Sequence, residues 1–225
     1  MNLYYYDLHV HTSNISPCGH VDAEEVARLY AQAGYTGIVV TNHYWESYFR
    51  ALSPLSWKAK VARYLKEYHR AKKAGEKLGL EVFLGAEITL VNSRNDYLIY
   101  GLDENFLFGC PALYNLGLAE LHQLLKAHGM LLYQAHPFRN YMERVPPGLL
   151  DGIEVFNGNP RHNSRNHLAL AYAKAYGLGM VSGSDFHQVV DLATGGAALA
   201  ERVTDPLGLV RALAGHHIEL IGPDT

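Results

Sequence analysis

Apolar runs of strand length alternate with amphipathic stretches along the whole chain. LYYYDLHV reads as a first strand. DAEEVARLYAQAG reads as a helix capped by Asp22 at its start and Gly34 at its end, with Glu25 three residues after the cap. TGIVVT is a continuous apolar run, the pattern of a strand buried on both faces. From Trp57 to Gly79 the spacing of Val61, Tyr64, Leu65, Tyr68 and Leu78 predicts one long helix. EVFLGAEITLV and YLIYGL predict strands, LAELHQLLKAHG a helix, and MLLYQA and DGIEVFN strands. SRNHLALAYAKAYG follows as a helix and GMVSGS as a strand, before PLGLVRALAG and HIELI close the chain. Strands alternating with helices imply parallel pairing through right-handed crossovers. Seven or eight such units favour a closed α/β barrel, in a single domain over residues 1–225.

The opening strand is not cleanly apolar. Asp7, His9 and His11 stand at alternate positions, and residues i, i+2 and i+4 of a strand share one face. Three polar side chains are therefore expected to converge where a core strand would carry Val or Ile. Polar residues recur at the C-terminal ends of later strands: His43 in TNH, Glu87 in GAE, His136 in AHP, and Asp185 with His187 in GSDFH. Glu154 lies within GIEVF, as a supporting group more than a catalytic one. In a (β/α) barrel the catalytic groups sit at that end and come from several strands. Imidazoles and carboxylates gathered there have the ligand types of a Zn, Mn or Fe site. One His at a strand end is ordinarily capped or solvated, but several unpaired ionisable groups together are costly unless a metal neutralises them.

Composition narrows the classes. With 225 residues and 48% apolar content the chain can bury a sizeable core. A net charge of −3 without a Lys/Arg run leaves no electrostatic footprint of nucleic acid, which argues against a polymer-binding nuclease. Two cysteines, Cys18 and Cys110, make no disulfide framework, and no long apolar run or signal-peptide pattern appears. A cytoplasmic protein that does not engage membranes is expected.

DLHVHTS, TNH, GAE, AHP and GSDFH, in this order, resemble the PHP (polymerase and histidinol phosphatase) superfamily from Asp7 to about His187. The D-x-H-x-H start combined with the S-D-x-H end carries the specificity. The resemblance implies a distorted (β/α)7 TIM-like barrel with its metal site at the C-terminal ends of the strands. It also implies two or three divalent metal ions (Zn, Mn or Fe) and hydrolysis of a phosphoester. Carried over by position, His9, His11, Glu87 and Asp185 would hold the first metal. Glu87 would bridge to a second, which His136 also binds, and His43 and His187 would hold a third. Asp7 would fix a ligand imidazole through its other ring nitrogen.

Three departures from that pattern stand out. Asn42 in TNH replaces a carboxylate. The ligand His that commonly follows the bridging Glu is missing, and NDYLIYG offers Asp96 or Tyr97 instead. A free Tyr ionises only near pH ~10, so the second metal is expected to lack a third protein ligand and to be the most weakly held. For the third metal, His20 in SPCGH is the available extra ligand, whereas Cys18 beside it is expected to be an uninvolved loop thiol.

Among the remaining residues, Arg139 in HPFR suits a pair of phosphate oxygens, with Arg161 and Arg165 as weaker candidates. The aromatic stretch HYWESYFRALSPLSW is expected mostly to pack on the rim. The reading favoured is a metal-dependent phosphoesterase acting on a small phosphorylated metabolite or nucleotide, with His187 or a metal-bound water protonating the leaving alkoxide. An amidohydrolase-like enzyme would call for a Lys ligand at a strand end, and none is there. A metal-binding regulatory module without catalysis would call for missing ligands, yet nearly the whole set is present.

Overall fold

This computed structural model describes residues 3–215 and 218–222; His216 and His217, which carry no site signal, lie outside the described residues. The chain begins with β1 (Tyr4–Val10), α1 (Ala23–Gln32), β2 (Gly37–Val40), β3 (His43–Tyr44), α2 (Glu46–Ala51) and α3 (Trp57–Tyr64). It continues through α4 (Lys66–Leu78), β4 (Glu81–Leu84), β5 (Ala86–Thr89), β6 (Asp96–Tyr100), α5 (Glu104–Gly109), α6 (Leu118–Ala127) and β7 (Leu131–Gln134). The last elements are β8 (Gly152–Asn157), α7 (Asn166–Tyr176), β9 (Gly179–Gly183), β10 (Gly196–Leu199), α8 (Pro206–Ala214) and β11 (Glu219–Ile221).

The strands form two sheets, ordered β11-β10-β1-β2-β4 and β3-β5-β6-β7-β8-β9, in a mixed α/β domain. Hydrogen bonds tie the sheets to each other. The His11 N–H donates to Phe186 O at 3.1 Å beyond β9, and the Glu87 N–H of β5 donates at 3.2 Å to Thr41 O, just beyond β2. The sheets are not all parallel. β6 runs antiparallel to both β5 and β7, and β10 runs antiparallel to β1. The cause is connection length: residues 90–95 are too few for a crossover, so β5 and β6 must pair as a hairpin. β10 escapes prediction because GAAL carries no β-branched residue.

Capping follows the sequence more closely than helix length does. Asp22 accepts from the backbone N–H groups of Glu24 and Glu25, and Gly79 ends α4 in the left-handed conformation. The helix expected from Trp57 to Gly79 is two helices meeting at Leu65: α3 packs against α5, whereas α4 packs along α1. EVFLGAEITLV divides at Gly85, where the chain passes from one sheet to the other. A Cβ there would lie 2.7 Å from Val39 Cγ1 and 3.0 Å from Ile99 O.

Two apolar clusters sit on opposite faces of the strands. Tyr6, Leu8, Val39, Phe83, Leu98, Tyr100 and Tyr133 form one. Ile38, Val40, Leu84, Ile99 and Leu132 join the helical side chains in the other, as period-2 alternation requires. The aromatic stretch after β2 belongs to this second cluster: Tyr44, Phe49 and Trp57 pack with Tyr64 and Tyr114 through tilted, edge-on and stacked ring contacts. Trp45 differs, its ring lying edge-on to His43 at 5.3 Å. No helix among the described residues is long and apolar enough to cross a membrane, and both cysteines are free.

The first cluster supports everything built at the strand ends. Leu98 is fully buried in it, so Leu98→Ala should lower unfolding free energy by roughly 2–5 kcal/mol through lost burial and a residual cavity. Urea denaturation with an unchanged m-value checks this; an unaltered midpoint would contradict the packing described.

Candidate metal centre

A β-bulge decides which residues of β1 enter the site. The register of β1 against β2 shifts between Asp7 and Val10, so the two-residue alternation breaks there. Leu8 stays in the first apolar cluster, and His9 and His11 then turn toward Glu87 and Asp185. Asp7 goes the other way. Its Oδ2 accepts from the hydroxyl of Tyr30 on α1 at 2.6 Å, and its Oδ1 accepts from the backbone N–H groups of His9 and Ser184, each at 3.1 Å. The expectation that Asp7 fixes a ligand imidazole is thereby corrected: it pins two backbone segments, one ahead of each ligand pair.

Four side chains converge at the centre. His9 Nε2 and His11 Nε2 are 3.0 Å apart. His9 Nε2 lies 3.5 Å from Glu87 Oε1 and 3.5 Å from Asp185 Oδ1, and His11 Nε2 lies 3.3 Å from Glu87 Oε2 and 3.4 Å from Asp185 Oδ1. A tetrahedron with metal–ligand bonds of about 2.0–2.1 Å has edges of about 3.3–3.4 Å. His9, His11 and Asp185 have the chemistry and spacing of three such positions, and Glu87 flanks them with one oxygen toward each imidazole, every member buried.

The ring nitrogens are oriented for that use. His9 Nδ1 donates to Glu154 Oε1 at 2.9 Å, which leaves Nε2 with its lone pair inward. Glu154 also accepts from the His136 backbone N–H at 2.9 Å. It is this carboxylate, not Asp7, that fixes a ligand imidazole. Ser16 does the same for His11. The Ser16 hydroxyl donates to Asn42 Oδ1 at 2.9 Å, so His11 Nδ1, 3.0 Å from Ser16 Oγ, must be the donor there. Asn42 also accepts from the Thr12 N–H at 2.8 Å and gives one amide hydrogen to Thr12 Oγ1. An amide suits this junction better than a carboxylate because it both donates and accepts. Ser16 carried no signal in the sequence.

Two further groups border the first. Glu87, Asp96 and His136 offer ligand atoms all within 4.8 Å of one another. His136 Nε2 is 3.1 Å from Glu87 Oε1, and His136 Nδ1 is buried without a hydrogen-bond partner. Asp96 arrives because β6 is antiparallel and presents its N-terminal end here. Of the two residues NDYLIYG offers, it is Asp96 that stands beside Glu87 and His136 as a candidate third donor. Tyr97, its neighbour, packs in the second apolar cluster with its hydroxyl near Asn95 at 3.4 Å. The other group is His11, Cys18 and His43, again within 4.8 Å. His20 is exposed and enters no such group among the described residues. It follows a turn closed by the Gly19 N–H to Ser16 O at 3.0 Å, and its own backbone N–H donates to His187 O. Its contribution is a backbone bond, and Cys18 takes the inward position.

Two of the three arginines, Arg139 and Arg161, are engaged with carboxylates. Arg139 Nη2 donates to Asp185 Oδ2 and Asn157 Oδ1, both at 2.9 Å, and to Ser164 Oγ at 3.2 Å. Its Nε is buried without a partner, and its Nη1 makes no hydrogen bond among the described residues. Arg161 grips Asp191, whose Oδ2 accepts from the backbone N–H groups of His187 and Gln188, each at 2.9 Å. Arg165 holds Phe138 O and Asn140.

Charge is concentrated and unbalanced. Burial opposes protonation of His9, yet Glu154, Asp185 and Glu87 outweigh it and raise its pKa well above the ordinary value. Burial pushes Glu87 up, but His43 and His9, with hydrogen bonds from His11 and His136, hold it well below the usual carboxylate range. Asp185 is held down in the same way by His9, His11 and His187. Burial and the nearby Glu87 raise Asp96. Cys18 is opposed by burial but pulled down to about 5 by interaction with His187 and His43. His187 is lowered by burial and raised more by Asp185 and Cys18, to about 9. Carboxylates draw protons onto imidazoles wherever a cation would serve them better. The backbone is strained at two of these residues, with φ of +29° at His136 and +51° at Asp185, as at sites where geometry is imposed by the surroundings.

A family model described as the PHP domain matches residues 7–206. No curated protein matches the chain in sequence. A solved two-domain protein from Bacteroides vulgatus, containing a predicted PHP-like metal-dependent phosphoesterase, superposes with a TM-score of 0.71 at 17% identity. The match covers 98% of this chain and 65% of that one. The lesion-specific endonuclease PfuEndoQ from Pyrococcus furiosus superposes at 0.67 with 14% identity, over 99% of this chain and 60% of that one. An amidohydrolase from Chromobacterium violaceum with bound SO4 and no metal superposes at 0.58 with 17% identity, over 95% and 97%. The chain thus spans between three fifths and two thirds of the first two proteins, and at these identities the likeness is one of fold.

Glu154 touches no candidate metal position, yet it orients His9 and holds the His136 backbone. Glu154→Gln keeps the volume and removes the charge, and is expected to weaken metal binding by roughly 10–100-fold. Competition against a chromophoric chelator measures this, with circular dichroism to show an intact fold; parental affinity would contradict the assignment.

Proposed function

The chain belongs to the PHP domain family, and from that premise we propose that it is a metal-dependent phosphoesterase acting on a small phosphorylated molecule. The observation that carries the reading is the convergence of buried His9, His11, Glu87 and Asp185, a set of imidazoles and carboxylates whose nitrogens and oxygens approach one another to 3.0–3.5 Å. In this reading Glu87 is shared with a second ion held by His136 and Asp96, and His43 and His187 hold a third. The ions are divalent Zn, Mn or Fe, ions suited to imidazole and carboxylate donors. We also read the two sheets as staves of one distorted seven-stranded barrel, supported by the bonds joining the end of β1 to Phe186 and β5 to Thr41.

When bound, the metals supply Lewis acidity toward phosphoryl oxygens and make water acidic enough to act as a nucleophile near neutral pH. The protein's own groups do the rest. Glu154 and Ser16 set the imidazole tautomers before any ligand arrives. Arg139 Nη2 fixes Asp185, and its free Nη1 is assigned to a phosphoryl oxygen as charge builds there. His187 Nε2 lies 3.0 Å from Asp185 Oδ1, which favours a ligand role over that of proton donor. A net charge of −3 supports a small substrate over a long polyanion. The fold alone decides neither, since neighbours of this fold include an endonuclease and an amidohydrolase.

The test is elemental analysis of the purified protein with assays on p-nitrophenyl phosphate, its bis ester and single-stranded DNA. Hydrolysis of the monoester by metal-loaded protein is expected; metal-loaded protein inert toward all three would sink the proposal. Asp185→Asn should lose at least one metal equivalent. Its rate should fall by at least about 100-fold, equivalent to about 3 kcal/mol of transition-state stabilisation.

Arg139→Ala removes a contact to a ligand carboxylate as well as the proposed contact to substrate. Turnover at saturating metal is expected to fall by about 30-fold, the size of one lost charge-assisted bond of about 2 kcal/mol. Full recovery of turnover in excess metal would restrict Arg139 to positioning Asp185.

A further inference from the structure

The loop between β1 and α1 folds back over the centre, and its conformation is fixed. The Ser13 N–H donates to Val21 O at 2.8 Å, the Gly19 N–H to Ser16 O at 3.0 Å, and the His20 N–H to His187 O at 2.8 Å. Gly19 is required by a close approach, since a Cβ there would stand 2.6 Å from Thr12 O. These constraints turn Cys18 inward and leave His20 in solvent. The Cys18 sulfur, His11 and His43 offer ligand atoms within 4.8 Å of one another. A second observation brings in another imidazole: His187 is buried with its Nε2 3.0 Å from Asp185 Oδ1, and Cys18 lies within hydrogen-bonding reach of both His187 and His43. His11 Nε2 faces both Glu87 and Asp185, whereas His43 and His187 each face only one of them and both adjoin Cys18, so Cys18, His43 and His187 are the donors assigned to a separate ion.

We propose that Cys18 is a metal ligand, forming with His43 and His187 a mixed sulfur and nitrogen site selective for thiophilic divalent cations. The proposal rests on the metal-centre reading above and deepens it. A thiolate beside two imidazoles favours Zn2+ or Co2+ over Mn2+ or Mg2+, because a soft donor discriminates against hard ions. The group of Glu87, Asp96 and His136 is oxygen-rich and lacks that preference. The centre then holds two kinds of position a few ångströms apart, and they should fill in a different order with different metals.

Cobalt substitution of the full chain tests this by spectroscopy, without reference to activity. Co2+-loaded protein should show a near-ultraviolet sulfur-to-cobalt charge-transfer band. Cys18→Ser should lose the band and one metal equivalent, whereas Cys110→Ser should keep both. Alkylation of the unsubstituted protein by iodoacetamide, read at each cysteine by mass spectrometry, covers the case in which the variant does not fold. Zn2+ should slow modification of Cys18 by at least about tenfold and leave Cys110 unchanged. Cobalt bound without the band, a band surviving Cys18→Ser, or unprotected Cys18 in zinc-loaded protein would overturn the ligand assignment alone. Failure to bind cobalt at all would overturn the metal-centre reading beneath it.

Discussion

One buried carboxylate organises the site. Glu87 is 1% exposed and lies 2.9–3.5 Å from the imidazoles of His9, His11, His43 and His136. Removing a carboxylate from water costs several kcal/mol, and each neighbouring charge removed with it costs more. Asp185, Glu154 and Asp96 add negative charge to the same small volume. Imidazoles can offset that only by carrying protons, which is why His9 and Glu87 shift in opposite directions. Divalent ions would supply the same compensation with fewer buried charges to hold in place. The architecture is the means of forcing these groups together until such ions bind.

That forcing is visible in the backbone. Asp7 spends its carboxylate on the amides of His9 and Ser184, so the strand carrying two imidazoles and the segment carrying Asp185 are held by one buried group. Asp191 does similar work around His187 through an Arg161 ion pair. Gly183 allows the close contact, because a Cβ there would meet His9 Cβ at 2.4 Å. The left-handed backbone at His136 and Asp185 is the residual strain of that assembly.

Much of this was legible in the chain, and the failures have physical causes. Residue type at strand ends identified His9, His11, His43, Glu87, His136, Asp185 and His187 because imidazoles and carboxylates are out of place in a strand unless something binds them. Asp7 was misread because strict alternation holds only until a bulge, and a bulge is a matter of register with no composition of its own. Asp96 and Tyr97 could not be told apart as candidates, because a parallel repeat would put the start of β6 at the far end. Only the short β5–β6 connection reverses it. Cys18 and His20 differ by two residues in a loop without periodicity, where a glycine's close approach decides which side chain points inward. Arg139, expected to face phosphate, lies at the centre with a carboxylate of the site as its partner.

These misreadings share a direction, and it bears on how such a centre acquires its character. Residues on regular strands supply a core of donors that the fold itself brings together. The donors that differ from the family pattern, Asp96 and Cys18, come from a reversed strand and from a loop, where local geometry alone sets the side chain's direction. An oxygen donor on one flank and a sulfur donor on the other make the two flanking positions unlike in hardness, while the shared carboxylate between them stays the same. Changes at the flanks can therefore retune which ions are held without disturbing the strands that fix Glu87, and selectivity can vary within one fold while its central shell is retained.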